Sequence, residues 1–465
     1  MDIDIQDIII PLVAFLIPAI GLLIREIHYR RKAKRQAADD SSKVLKERKK
    51  LLEEMLPKAE DPDTKNHLLA QLDEVNAALL GLYAKRLRQT LRDADLPPEE
   101  ILIEDGRSQL QPQQVARLAQ LVAEVNVLPM SLSPQDLLVL GNAYYYMEQY
   151  EEAKKAYDKI LTLNPNEPAS LNNRGITYRH LERYDEALAD YNRALELLPE
   201  HPDILNNRGG TYYYLERYDE ALADYNRALE LRPNHPVFLY NRGTNYIKLE
   251  RYEEALADFN RSLELRPDDP ATIANRGSTY YHLERYDEAL ADYSRSLELR
   301  PNHPATIANR GGTYYHLERY DEALADYNRS LELRPDHPDT LHKRGNTYDA
   351  LERYDEALTD YNRSLEIKPD YPDALNSRGH IYTKLERYGE AFADLNRLLE
   401  IRPNDAGTLY DLACLFSLWE NSEKSINYLK KAISLDKKYR ADAKTDKDFD
   451  NIRKDPRFKK LVGEA

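Results

Sequence analysis

Five asparagines recur at intervals of 34 residues, and they are the side chains best suited to chemistry with a partner. They are Asn173, Asn207, Asn241, Asn275 and Asn309. A carboxamide both donates and accepts hydrogen bonds, so a row of them could hold the backbone of an extended peptide without reading its sequence. The alternative is that these amides bond to neighbouring repeats or to water. The spacing alone leaves both interpretations open.

Aromatic side chains follow the same interval. Tyr213, Tyr281 and Tyr315 each lie six residues after an asparagine of the row. Five more rings occupy equivalent or adjacent places: Tyr145, Tyr146, Tyr214, His282 and His316. Together they would form an aromatic wall for apolar or cationic side chains. We therefore predict a peptide-binding site made of the five asparagines with Tyr213, Tyr281 and Tyr315.

The sequence contains no recognisable catalytic motif. It lacks a phosphate-binding loop, a nucleophile elbow, an HExxH segment and a paired-cysteine motif. Its single cysteine, Cys414, can form neither a disulfide framework nor a thiolate metal site, and we expect it to be a buried core thiol. We predict that the protein is not an enzyme and uses no cofactor, metal or small-molecule substrate. A net charge of −15 makes nucleic acid an unfavourable partner.

The 34-residue interval extends over most of the chain. Eight glycines follow it, and the next step falls on another small residue: Gly141, Gly175, Gly209, Gly243, Gly277, Gly311, Gly345, Gly379 and Ala413. A fixed period of this length predicts one supersecondary unit copied nine times. We number each repeat so that this small residue is position 8, which places the opening residue of repeat one at Pro134.

The spacing within a repeat predicts two helices. Positions 4, 8 and 11 share one face of a first helix, and positions 17, 20, 24 and 27 share one face of a second. Small residues at positions 8 and 20 would let the helices approach, while aromatic residues at 11 and 24 fill the space around them. Proline at position 32 would end the second helix, and proline at position 1 would begin the next first helix.

This pattern resembles the tetratricopeptide repeat (TPR) over about residues 133–436. The resemblance implies an all-α fold, a right-handed superhelical α-solenoid of nine TPR helix pairs. It also implies that the first helices line a concave groove. Position 4 is aliphatic where the family often has tryptophan. The carboxylate clamp that captures chaperone C-termini is not expected, because no lysine stands at position 2 or 5.

A second departure from the family pattern is arginine at position 7 in repeats two to eight. Aspartate stands at position 23 in the same seven repeats, whereas repeats one and nine lack both charges. Repeat one has Leu140 and Ala156 at these places. Because the two charges occur together or not at all, we predict an Arg–Asp bridge within each repeat, partly buried between its helices.

The N-terminal segment predicts a membrane anchor. Residues 8–24 carry no charge, are preceded by three aspartates and are followed by a basic cluster. This asymmetry predicts a single-pass membrane protein with its repeats in the cytoplasm. A hydrophobic helix buried in protein is the alternative.

The remaining segments complete the predicted organisation. Residues 1–35 would form the anchor, 36–130 a helical spacer, 131–436 the nine repeats and 437–465 a capping tail. In the spacer we expect a charged, exposed helix over 36–56, a helix over 64–94 that docks on its neighbours in preference to forming a dimerising stalk, and a third helix over 112–127. The tail segment 448–463 resembles closing segments of many bacterial TPR arrays, with Phe449, Ile452, Phe458 and Leu461 placed to cover the last helix pair.

Two classes of function fit these features. The first is a membrane-anchored protein–protein interaction scaffold that binds an extended peptide or protein partner in its groove. The second is an assembly or structural subunit of a membrane protein complex. The absence of a small-xxx-small motif and of polar residues in 8–24 favours the first.

Overall fold

The computed structural model describes residues 41–59, 61–94, 96, 111–128 and 132–463. Within these residues the protein consists of helices and contains no strand. Three helices precede the repeats: α1 (Ser41–Met55), α2 (Pro62–Asp93) and α3 (Pro112–Asn126). They match the three helices predicted for the spacer to within a few residues.

Each repeat contains two helices, A and B, as the spacing predicts. The A helices are α4 (Pro134–Tyr146), α6 (Pro168–His180), α8 (Pro202–Tyr214), α10 (Pro236–Lys248), α12 (Pro270–His282), α14 (Pro304–His316), α16 (Pro338–Ala350), α18 (Pro372–Lys384) and α20 (Ala406–Leu418). The B helices are α5 (Tyr150–Leu163), α7 (Tyr184–Leu197), α9 (Tyr218–Leu231), α11 (Tyr252–Leu265), α13 (Tyr286–Leu299), α15 (Tyr320–Leu333), α17 (Tyr354–Ile367), α19 (Tyr388–Ile401) and α21 (Ser422–Leu435). The tail adds α22 (Lys438–Thr445) and α23 (Pro456–Val462).

The boundaries of the A helices have local causes. Eight of them begin with proline, whose missing N–H is not needed in the first turn. Each ends before a glutamate at position 15 that adopts the left-handed conformation, with φ between 56° and 59° in all nine repeats. In repeat two the N–H of Arg183, the next residue, donates to the carbonyl of Tyr178 at 2.8 Å and closes the helix end. A β-carbon makes this conformation costly, and it could not be predicted from the residue type at this position.

Helices A and B of one repeat approach closely at position 8. A β-carbon built on Gly345 would lie 2.6 Å from the ring of Tyr361, and one built on Gly141 would lie 2.5 Å from the ring of Tyr157. Both tyrosines occupy position 24 and are fully buried. The glycines are therefore required because a ring fills the space that a side chain would need.

The chain divides into two compact units, residues 1–245 and 246–465. In the first unit the spacer and repeats one to three share a single hydrophobic core. Leu79 and Leu87 of α2 and Leu118 of α3 belong to the same cluster as Leu137 of α4. Arg88 also pairs with Asp136 at 2.8 Å. The expectation that the helix over 64–94 docks on its neighbours is confirmed, whereas the helix expected to be exposed over 36–56 buries Val44 and Leu52.

In the second unit the tail covers the last helix pair. Phe449, Ile452 and Phe458 are buried in one cluster with Leu409 and Leu429 of repeat nine, and Leu461 packs against it. This arrangement confirms the predicted cap, which hides apolar surface that the last pair of a stacked array would otherwise expose.

Arg–Asp bridges are present in repeats two, three and five to eight. Bidentate pairs join Arg174–Asp190, Arg208–Asp224, Arg276–Asp292, Arg310–Asp326, Arg344–Asp360 and Arg378–Asp394, at 2.6–2.8 Å. The third guanidinium nitrogen of Arg344 donates to Asn328 of the preceding repeat at 2.7 Å. The predicted bridge within the repeat is confirmed, and the same arginine also links neighbouring repeats.

We predicted a single-pass membrane protein, and the described helices contradict that prediction. None of them combines the length and the apolar composition needed to cross a bilayer. Even the longest, the 32-residue α2, carries charged residues throughout because one of its faces is exposed. The anchor that we predicted at residues 8–24 lies outside the described residues.

Candidate binding surface

In the first unit the asparagine row forms hydrogen bonds between A helices. The amide of Asn173 donates to Asn142 of repeat one at 3.0 Å, and the amide of Asn207 donates to Asn172 of repeat two at 3.0 Å. Asn241 repeats the contact with Asn206 at 2.9 Å. Asn173 and Asn207 are buried. In this unit the amides therefore act on one another, which is the structural alternative that the spacing had left open.

The acceptor in the contacts of Asn207 and Asn241 is a second asparagine at position 5 of the preceding repeat. In repeats five and six that position is held by Ala274 and Ala308, which offer no side-chain acceptor. The side chain of Asn309 is exposed and makes no hydrogen bond to any residue that the structure describes. Asn275 is half-buried. Asn309 is thus accessible to a partner, unlike Asn173 and Asn207.

Asn309 lines a cavity of about 390 Å³ on the A-helix side of repeats five to eight. The predicted residues Tyr281 and Tyr315 also line it, with Tyr327 at its wall. The remaining lining residues are Ser278, His282, Tyr293, Gly312, His316, Asp339, His342, Lys343, Asn346, Tyr371 and Asp373. The structure therefore brings together three of the predicted site residues, whereas Tyr213, Asn173, Asn207 and Asn241 belong to the other unit.

The predicted tyrosines are half-buried rings packed edge-on against the first tyrosine of the following B helix. The ring of Tyr281 lies 5.8 Å from that of Tyr286, and the ring of Tyr315 lies 5.6 Å from that of Tyr320. Tyr213 packs in the same way, and burial raises its pKa to about 12. These hydroxyls stay protonated at neutral pH, so they can donate hydrogen bonds to a ligand.

Charged groups occupy one end of the cavity. Asp339 accepts hydrogen bonds from Tyr371 at 2.9 Å and pairs with Lys343 at 2.9 Å. Burial acts to raise the pKa of Asp339, but Lys343 and Tyr371 outweigh it and hold that pKa below its ordinary value. Asp373 is exposed at the same end. With two aspartates against one lysine, the lining has a formal charge of −1 when its histidines are neutral.

His342 stabilises this end of the cavity. Its Nε2 lies 3.1 Å from the hydroxyl of Ser377 in the next repeat, and its ring packs against Tyr371 at 5.3 Å. Burial lowers the pKa of His342, so the ring is neutral near pH 7. Asp339, His342 and Tyr371 were missed by the sequence reasoning, and the signal for them was the loss of asparagine at position 6 in repeat seven, where Lys343 stands.

Cys414, Asp446 and Asp448 offer ligand atoms within 4.8 Å of one another, an arrangement that could hold a metal ion. The thiol of Cys414 donates to Asp446 at 3.7 Å. Burial and the neighbouring carboxylates raise the pKa of this thiol far above its usual value. The cysteine is therefore kept in its thiol form and buried, as predicted, and that form is a poor metal ligand.

Helix pairs with these spacings define an all-α repeat protein of the kind that serves as a protein–protein interaction scaffold. Family models described as tetratricopeptide repeat match residues 136–200, 166–234, 206–270, 244–305, 304–370, 342–406 and 406–439. Together they extend over more than half of the chain, and the protein belongs to the tetratricopeptide repeat family. The resemblance of the tail to closing segments of bacterial arrays had suggested a bacterial-type repeat protein, and the comparisons do not support that finer assignment.

Solved structures of the same repeat class are similar to this chain. A tetratricopeptide repeat protein from Parabacteroides merdae ATCC 43184 is 22% identical over 53% of this chain and 98% of its own, with a TM-score of 0.45. YrrB, a TPR protein with an unusual peptide-binding site, is 26% identical over 40% of this chain and 97% of its own, with a TM-score of 0.34. The APC/C hetero-tetramer Cut9-Hcn1 is 14% identical over 93% of this chain and 95% of its own, with a TM-score of 0.47. No curated protein matches the sequence.

Proposed function

We propose that the protein is an interaction scaffold that binds an extended segment of a protein partner on the A-helix side of repeats five to eight. The observation that supports this function is the 390 Å³ cavity lined by Asn309, Tyr281 and Tyr315. Asn309 has an unused amide donor and acceptor, which is what a peptide backbone requires. The two tyrosines supply apolar contact area with little conformational entropy to lose.

A selection of peptides on the immobilised full chain tests this function. Randomised 12-residue peptides are selected, and the affinities of the enriched sequences are measured by fluorescence anisotropy. We expect Asn309→Ala and Tyr315→Ala each to weaken binding about tenfold, since about 1.4 kcal/mol corresponds to one lost hydrogen bond or ring contact.

Two control variants separate binding from folding. Glu332→Ala changes an exposed side chain of α15 and should leave affinity unchanged. Asn207→Ala removes a buried amide in the other unit, so it should lower stability without affecting peptides bound at repeats five to eight. The function is refuted if no peptide is enriched, or if enriched peptides bind the Asn309→Ala and Tyr315→Ala variants as tightly as the wild type.

A further inference from the structure

The tyrosine at position 24 has a hydroxyl whose partner differs from repeat to repeat. In repeat one Tyr157 donates to Asn142 at 2.7 Å, and in repeat seven Tyr361 donates to Asn346 at 2.7 Å. Both partners occupy position 9. In these two repeats the side chain at position 9 satisfies a hydroxyl that is otherwise enclosed by protein.

Repeat six lacks this partner because position 9 is Gly312. Tyr327 is only 1% exposed, lines the cavity, and makes no hydrogen bond to any of the described residues. A β-carbon at Gly312 would lie 3.5 Å from its hydroxyl oxygen, an ordinary contact distance. The glycine therefore opens a path from the cavity to a buried hydroxyl, and nothing in the packing requires a glycine there.

The hydroxyl of Tyr327 borders the cavity, so a ligand group there could form a hydrogen bond with it. The cavity around it combines the faces of Tyr281 and Tyr315 with Asp339 and Asp373 at one end. Aromatic faces and carboxylates both attract cations, and a tyrosine oxygen can accept a hydrogen bond from one.

Anionic groups are disfavoured in the same place. The lysine in the lining, Lys343, is paired with Asp339. His342 and His282 are neutral near pH 7, because burial lowers the pKa of both rings. An incoming carboxylate would meet the formal charge of −1 without a free lysine or arginine in the lining to oppose it.

We infer that this cavity is a specificity pocket for a basic side chain, lysine or arginine, of the bound peptide, with the hydroxyl of Tyr327 and the carboxylate of Asp373 as its recognition groups. The inference depends on the proposed peptide-binding function and narrows it to a class of partner: an extended segment with a basic residue opposite repeat six.

The neighbouring repeat indicates which substitution repeat six can accept. Repeats five and six differ at only three positions, one of which is Ser278 in place of Gly312. Gly312→Ser installs in repeat six the residue that repeat five tolerates, so it should fold normally while filling the path to Tyr327. Glu332→Ala, which changes an exposed side chain outside the cavity, serves as the control.

The test uses full-length protein and synthetic versions of the selected peptides in which the conserved basic residue is replaced by citrulline, norleucine or glutamate. Citrulline keeps the shape of arginine without its charge. We expect at least tenfold weaker binding for each replacement, and at least tenfold weaker binding of the arginine peptide to Gly312→Ser and to Asp373→Asn. Glu332→Ala should bind like the wild type.

The outcomes separate the pocket from the function. If peptides bind, depend on Asn309 and tolerate citrulline without loss, the basic pocket is refuted and the proposed function stands. The same conclusion follows if Gly312→Ser binds the arginine peptide as tightly as the wild type does. If no peptide is enriched on the wild-type chain, both proposals fail.

Discussion

The Arg344–Asp360 bridge allows a test of how the repeats are stabilised. The side chain of Asp360 is 5% exposed and that of Arg344 is 21% exposed. Two hydrogen bonds of 2.6 and 2.7 Å join them. Arg344→Leu leaves a buried carboxylate without its counter-charge, which should cost about 4 kcal/mol. Asp360→Ala leaves a guanidinium that still reaches water and keeps Asn328, so the loss should be about 2 kcal/mol.

The double variant Arg344→Leu, Asp360→Ala reproduces the pair found in repeat one, Leu140 and Ala156. It removes both charges together, so we expect a loss of about 3 kcal/mol, well below the sum of about 6 kcal/mol for the single variants. The coupling energy is then about 3 kcal/mol. Replacing both residues destabilises the repeat less than removing only Arg344 does, because neither charge is then left buried without its partner.

Hydrogen exchange measured by mass spectrometry is the suitable assay, because a long repeat array does not unfold in two states. Repeat seven is preferable to repeats five and six, whose nearly identical sequences yield indistinguishable fragments. Exchange of the amides of α16 and α17 reports the local free energy of opening. Losses that add to within about 0.5 kcal/mol in the double variant would refute the bridge as a coupled pair.

Two further predictions concern stability. His180 stacks on Tyr150 at 4.5 Å, and burial lowers its pKa to about 4, so the unfolded chain binds this proton more readily than the folded chain does. The free energy of opening of α5 and α6, measured by hydrogen exchange, should therefore fall by about 1–2 kcal/mol between pH 7 and pH 5, and His180→Tyr should reduce that fall; an unchanged pH dependence would contradict the assignment. In repeat seven, Gly345→Ala should lower the free energy of opening by about 2 kcal/mol, since its β-carbon would meet Tyr361 at 2.6 Å. Glu352→Gly should raise it by about 1 kcal/mol, because Glu352 has φ 58°; hydrogen exchange checks both, and a stabilising alanine or destabilising glycine would overturn the reasoning.

The repeat architecture could be predicted from sequence because the same physical requirement recurs in nine copies. Gly345 and Tyr361 appear at fixed separation wherever two helices must approach, so the period reveals the contact. The Arg–Asp bridge was predictable for a related reason: its two charges are gained and lost together within one chain. The right-handed sense of the superhelix and the boundary at residue 130 stay predictions.

The accessible site was harder to predict because it depends on positions that differ between repeats. Asn207 and Asn309 occupy the same position, yet one is buried against Asn172 and the other is exposed next to Ala274 and Ala308. Comparing position 6 alone across the repeats could not distinguish these two asparagines, because the hydrogen-bond acceptor is a residue at position 5 of the neighbouring repeat. The left-handed glutamates were missed for a different reason: the sequence pattern gives no local signal, such as glycine, for that backbone.

The proposed pocket therefore places stability and recognition at different positions of the repeat. Positions 7, 8, 23 and 24 join the two helices and hold nearly the same residues in repeats two to seven, whereas positions 5 and 9 vary on the A-helix side. A change at Gly312 alters what the cavity can accept while leaving the contacts of Gly311 with Tyr327 in place. In the proposed pocket, the serine or glycine at position 9 decides whether the tyrosine hydroxyl is satisfied by its own repeat or left for a partner, so we expect two nearly identical neighbouring repeats to differ in recognition.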